Sequence, residues 1–212
     1  MNTRKDFLLT TSLFALAPSI ADAASPAPSA SFTFDRARFD AILAKPAKHK
    51  QCFGAVAIDG GDVMSGMANT MNAYERYLGE APGSVQTVAV LYHGAAIALA
   101  MTSGVWNDLL LPSLKNAPAK VRAEFSDAKP GKGNPYLSDV AQMVKRGSSF
   151  FVCHNAIEGF SEIAAGALEM PKEKAHAAIM AGIVPGALVV PAGVMAINAC
   201  QEAKFTYVQS SL

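Results

Sequence analysis

The sequence predicts an α/β fold: a three-layer sandwich in which helices cover both faces of a mostly parallel sheet of about five strands. Two observations lead to this prediction. Strand-like and helix-like segments alternate along most of the 212-residue chain. The strand-like segments are also continuously apolar, which indicates that both of their faces are buried, as in parallel sheets covered by helices.

The individual elements follow from the spacing of apolar residues. Met64, Met67 and Met71 recur at three- and four-residue intervals and predict a helix over residues 64–78. The character of residues 106–114 stays open between helix and strand, and residues 115–134 are predicted to form a loop rich in Lys, Pro and Gly. The other predicted helices comprise residues 34–44, 95–100, 136–145 and 156–167, one that begins near Pro171, and 193–203. The predicted strands comprise residues 52–58, 85–92, 149–153, 187–190 and 205–208.

The amino terminus predicts export. Residues 1–23 combine a basic start at Arg4 and Lys5, an apolar segment of roughly ten residues and a small-x-small site ending at Ala23, as in a secretory signal peptide. The order Thr-Arg-Lys-x-Phe-Leu resembles a twin-arginine (Tat) signal with Lys5 in place of the second arginine. We therefore predict a signal peptide at 1–23, a flexible tether at 24–33 and a single domain at 34–212. The expected location is periplasmic or secreted, by a Tat-like or Sec route.

Charge and cysteine content exclude several classes of protein. The formal net charge is +1, which gives no basic surface for nucleic acid. After residue 23 there is no long apolar segment, so no membrane span is expected. The three cysteines, Cys52, Cys153 and Cys200, are an odd number, so at least one is free or paired between chains. Cys52 is expected just before or at the start of the first strand, in a structural role, and Cys200 in the core.

Polar residues follow three of the predicted strands. They are Asp59-Gly60-Gly61-Asp62, His93-Gly94 and Cys153-His154-Asn155. Because the carboxyl ends of parallel strands meet at one edge of a sheet, we expect these groups to converge there, where ligands bind in such folds.

Cys153 is the candidate reactive group at this edge. A cysteine between a strand and a helix lies where backbone N–H groups and the helix dipole favour an anion, and hence the nucleophilic thiolate. His93 and His154 are candidate electrostatic partners, although adjacent residues on an extended strand point to opposite faces. Asn155, Gly94 and Asn72 are candidates for orienting a ligand. The alternative is that Cys153 is a small buried apolar residue at the end of a core strand.

Metal and nucleotide chemistry receive little support from the sequence. His93, Cys153 and His154 have suitable ligand types, but they lack the short spacing of zinc sites, so no metal ligand is predicted. The Gly60-Gly61 pair lacks the third glycine of a dinucleotide fingerprint, and no cofactor is expected.

Three longer segments resemble the DsrE/DsrF-like sulfur-relay family, in an exported branch of it. They are Val88–Gly94, Phe151–Ala156 and Val184–Val194. The third segment is followed by two further matching positions, Gln201 and Phe205–Val208. The resemblance as a whole extends over residues 52–209. It implies a flavodoxin-like domain that forms homo-oligomers and a strand-end cysteine, here Cys153, that carries sulfur as a persulfide without metal or organic cofactor. It also implies sulfur donors and acceptors, proteins or small sulfur compounds, as partners.

Three functional hypotheses remain open. In the first, the chain is an exported sulfur carrier or sulfurtransferase-like protein with Cys153 as acceptor. In the second, it is a noncatalytic module that binds a small ligand or assembles into oligomers, and Cys153 only lines a pocket. In the third, it binds a metal through His93, Cys153 and His154.

Overall fold

The computed structural model describes residues 32–210 of the chain. The predicted signal peptide, residues 1–23, and most of the predicted tether lie outside the described residues. The described residues from Phe34 onward form one compact unit. Within residues 32–210, no helix has both the length and the apolar character needed to cross a membrane.

Five strands form a single sheet in which all pairs are parallel, which confirms the predicted sheet. The strand order is β4-β3-β2-β1-β5, so β2 is central and fully buried. The strands are β1 (His49–Ala55), β2 (Val85–Leu91), β3 (Ser149–Cys153), β4 (Ala187–Val190) and β5 (Thr206–Gln209).

The predicted helices are confirmed, with ends that differ by a few residues. Residues 106–114, whose character the sequence left open, are helical, and they contain a π-helical turn at Trp106–Leu110. Short 3₁₀ helices lie at Asp59–Gly61, Ala96–Ala100 and Leu114–Asn116. The α-helices are α1 (Arg36–Ala44), α2 (Asp62–Tyr77), α3 (Ser103–Val105), α4 (Leu111–Ser113), α5 (Ala119–Ala123), α6 (Leu137–Lys145), α7 (His154–Leu168), α8 (Lys172–Ala181) and α9 (Gly193–Glu202).

The two faces of the sheet have separate apolar cores, because side chains alternate along each strand. On one face, Phe150 and Val152 of β3 pack with residues of α2, α6, α7 and α8. On the other face, Phe151 of β3 packs with Phe39 of α1 and with α9. The ring centroids of Phe39 and Phe151 are 5.0 Å apart. Helices therefore cover both faces, and the molecule is a three-layer sandwich of the flavodoxin-like kind.

Cys52 lies in the middle of β1, not at its start as the sequence analysis predicted. The polar residues His49, Lys50 and Gln51 pair with β2 and lengthen the strand at its amino end. Cys52 is fully buried beside Cys200 of α9. A hydrogen bond with Cys200, together with burial, raises the pKa of the Cys52 thiol far above its ordinary range. The thiol of Cys52 therefore stays protonated, which fits the predicted structural role.

Candidate functional site

Cys153 ends β3, which lies next to β4, the strand after which the chain changes from one face of the sheet to the other. The helices that follow β1 and β3 pack on the first face, whereas α9, which follows β4, packs on the second. β3 and β4 are adjacent, and Cys153 pairs with Val190 at their carboxyl ends. Neighbouring strands whose connections diverge in this way leave a crevice, and ligands of open α/β sheets bind in such crevices.

A pocket of about 390 Å³ opens beside Cys153. It lies between the end of β2 and the first turns of α7. The structure thus brings together four residues predicted from the sequence: His93, Gly94, Cys153 and Asn155. The other lining residues are Tyr92, Ala156, Gly159, Phe160 and Ile163.

Cys153 is both the last residue of β3 and the N-cap of α7. Its side chain is 5% exposed and, within the described chain, makes no capping hydrogen bond to the helix. Cys153 lines the pocket at the amino-terminal end of α7, a helix of 15 residues. Of the three cysteines, Cys153 alone lines a pocket described here; all three are free thiols.

A second, larger pocket of about 590 Å³, also mostly apolar, adjoins the first and shares His93, Gly94, Phe160 and Ile163 with it. Much of its lining comes from the segment predicted as a loop, residues 115–134, which contains the short helix α5. Glu124 fixes this segment to the end of β1, because its Oε2 accepts a hydrogen bond of 3.0 Å from the N–H of Ile58. The remaining lining residues are Val56, Ala57, Ala95, Leu114, Ala117, Lys120, Val121 and Phe125.

Two of the predicted site residues do not line these pockets. Asn72 is half-buried in the second half of α2, which runs from the carboxyl end of β1 back to the other edge of the sheet. His154 is the first residue of α7, and its ring points away from Cys153, toward α8. The grouping of His93, Cys153 and His154 considered from the sequence is therefore not formed.

His154 instead belongs to a cluster with Glu158 and His176. Its Nε2 is 3.1 Å from the Nε2 of His176 and 3.6 Å from Oε1 of Glu158. The same carboxylate oxygen is 3.2 Å from Nε2 of His176. Lys172 forms an ion pair of 3.0 Å with the other carboxylate oxygen, Oε2. We refer to His154, Glu158 and His176 as the His-Glu-His cluster.

Burial lowers the pKa of His154, although Glu158 acts in the opposite direction. The imidazole is therefore neutral near pH 7 and keeps a lone pair on one ring nitrogen. Such a histidine is a hydrogen-bonding or ligand group, not a fixed positive charge beside Cys153.

Sequence reasoning missed Glu158 and His176. One signal was present: His154 and Glu158 are four residues apart and so lie on one face of α7. Nothing in the sequence indicated that His176 belongs to the cluster, because its position beside His154 depends on how α8 packs against α7. The fold and the first pocket together define a parallel α/β protein with a cysteine at the carboxyl edge of its sheet.

Comparisons with known proteins leave the family open. No protein-family model matches the chain. No curated protein matches it either. Among solved structures, the chain is similar to the protein of unknown function MTH1491 from Methanobacterium thermoautotrophicum, with a TM-score of 0.41 and 18% identity, over 76% of this chain and 98% of that one. The resemblance to the DsrE/DsrF-like family stays a prediction.

Proposed function

We propose that the protein is a sulfur carrier that accepts sulfane sulfur on Cys153 as a persulfide and passes it to a partner thiol. The observation that carries the proposal is the position of Cys153, at the switch point of the sheet and in the wall of a pocket. A thiolate is the attacking form of cysteine, and Cys153 immediately precedes the amino-terminal end of α7. His93 and Asn155 line the same pocket and offer hydrogen bonds to a sulfur donor.

The transfer needs no external oxidant. The Cys153 thiolate attacks a sulfane sulfur of a polysulfide, a new S–S bond forms at Sγ, and the bond inside the donor breaks as the shortened polysulfide leaves with the electron pair. An acceptor thiolate then attacks the outer sulfur of the persulfide, and Cys153 is released as a thiolate. The pocket of about 390 Å³ has room for a short polysulfide chain.

The first test is mass spectrometry of the intact protein after incubation with polysulfide. We expect a gain of one or more sulfur atoms that is lost in Cys153→Ser. Cys200→Ala is the matched control, because Cys200 is also a buried cysteine but lies in the core on the other face of the sheet. An adduct that persists in Cys153→Ser, or no adduct on the unsubstituted protein, would contradict the proposal.

The adjoining apolar pocket favours a second candidate function, the noncatalytic binding of a small apolar ligand. Pockets of several hundred Å³ with apolar walls and few polar groups are typical ligand sites. This function does not need the thiol. Binding of an apolar fluorescent probe would therefore be equal in Cys153→Ser and the unsubstituted protein, without sulfur uptake in either.

We further propose that the protein is exported, that its partners are sulfur donors and acceptors, and that it acts as a homo-oligomer. The amino-terminal sequence supports export, and the family resemblance supports the partners and the assembly. Fractionation of cells that express the full chain tests export: protein found only in the cytoplasm would contradict it.

A further inference from the structure

We propose that the His-Glu-His cluster binds a divalent zinc ion. The site is separate from the proposed sulfur chemistry, because it uses none of the groups in the wall of the Cys153 pocket. Among residues 32–210, it is the group of His, Cys, Asp and Glu side chains whose ligand atoms all lie within 4.8 Å of one another.

The spacing of the three ligand atoms fits a zinc ion. The separations of 3.1, 3.2 and 3.6 Å join both histidine Nε2 atoms and Oε1 of Glu158. Three atoms so placed lie on a circle of about 1.9 Å radius, so an ion slightly off their plane is about 2.0 Å from each, the usual zinc distance.

The same separations favour tetrahedral over octahedral coordination. Ligands about 2.0 Å from an ion are about 3.3 Å apart at tetrahedral angles and about 2.8 Å apart at right angles. The observed spacings are near the tetrahedral value. Two imidazoles and one carboxylate are a ligand set that zinc uses, and three protein ligands leave the fourth position to water.

Burial and helix packing hold the ligands in place. The side chains of His154 and His176 are 5% and 6% exposed, and that of Glu158 is 19% exposed. His154 and Glu158 are one turn apart on α7, and His176 comes from α8, which packs against it. Two imidazoles and a carboxylate are costly to bury together unless they bind a shared partner or one another.

Lys172 supports the carboxylate from outside. Its ammonium group is 3.0 Å from Oε2 of Glu158, which leaves Oε1 directed at the two histidines. This is the arrangement expected of an outer-shell group that fixes the orientation of a metal ligand.

The test is metal titration of the tag-free full chain after removal of metal with a chelator. We expect one Zn²⁺ per chain, measured by competition with a chromophoric chelator. Glu158→Gln and His176→Gln should each weaken binding by at least about 100-fold, beyond the effect of typical outer-shell changes. Glu162→Gln is the matched control, because Glu162 lies on the same helix but is exposed. Equal affinity in Glu158→Gln and Glu162→Gln would overturn the proposal, as would the absence of zinc binding.

Co²⁺ provides a second measurement, and its main readout is taken on the unsubstituted protein. We expect the visible absorption of tetrahedral Co²⁺ on the unsubstituted protein, without a thiolate-to-cobalt band. Binding should also be unchanged in Cys153→Ser. A thiolate band, or the loss of binding in Cys153→Ser, would place the ion on Cys153 and contradict the assignment.

Discussion

Single side chains decide the shape of the pocket beside Cys153. Gly193, the first residue of α9, lies so close to Tyr92 that a Cβ at this position would overlap the Cβ of Tyr92. Tyr92 in turn forms part of the pocket wall. A close approach of this kind requires glycine, because any larger residue displaces its neighbour.

Gly193→Ala is therefore expected to destabilise the protein by about 1 to 3 kcal/mol, since extra atoms in a packed region force backbone shifts. Urea unfolding measures the change. Gly166→Ala is the matched control: Gly166 lies within α7, nothing would contact its added Cβ, and alanine favours helix there. Equal stability of the two variants would refute the packing argument.

At the scale of elements, the segment at residues 115–134 is held in place at its middle and at its carboxyl end. In its middle, Glu124 accepts a hydrogen bond from the N–H of Ile58, in the loop that follows β1. At its carboxyl end, the buried amide of Asn134 donates to the carbonyl oxygens of Ala98, Leu99 and Met101 at 3.2, 3.1 and 2.7 Å. Its Oδ1 accepts a hydrogen bond of 2.9 Å from the N–H of Tyr136. The segment is thereby fixed as one wall of the apolar pocket.

Asn134→Ala removes these hydrogen bonds and leaves buried carbonyl groups without the amide. We expect a loss of about 2 to 3 kcal/mol in the free energy of unfolding, and weaker binding of an apolar probe. Gln142→Ala, which changes an exposed amide on α6, should change neither quantity measurably. Thermal or urea unfolding and probe titration check both expectations; an unaffected Asn134→Ala would show that the segment is fixed by other contacts.

At the scale of the whole molecule, the order of the strands determines where the candidate reactive residues lie. β3 lies next to β4, and their following helices pack on opposite faces. Cys153, at the end of β3, lines the pocket between the end of β2 and α7. The His-Glu-His cluster begins at the next residue but lies between α7 and α8. One strand end therefore supplies a thiol to one site and an imidazole to another.

The proposed homo-oligomer also concerns the molecule as a whole, because it depends on the exposed surface. The family resemblance supports this assembly, and Ile163 and Val194, large apolar side chains that are 57% and 66% exposed, are candidate contacts in it. We expect sedimentation velocity to give a mass that is a multiple of the chain mass. A single species with the mass of one chain, at all concentrations, would contradict the assembly.

The layers of this protein and the position of Cys153 at a strand end could be predicted from local sequence patterns. Continuous apolar strands, helix spacing and glycine or proline at helix ends are local signals, and they predicted the parallel sheet and the ends of β3 and β4. They also predicted that the polar groups after β1, β2 and β3 converge, because carboxyl ends of parallel strands share an edge. His93, Gly94, Cys153 and Asn155 do line one pocket, whereas residues 59–62 of the described chain line neither of the two pockets. The π-helical turn at Trp106–Leu110 and the extension of β1 before Cys52 were not predictable, because packing and strand pairing decide them.

The orientation of His154 and its contacts depend on the packing of helices and could not be predicted. On an ideal strand, His154 would alternate with Cys153, but the chain becomes helical at that residue and turns the ring toward α8. His176 is 22 residues away in sequence and is brought within 3.1 Å only by the packing of α8 on α7. Contacts between helices depend on side chains along the whole of both surfaces, so no local pattern specifies them.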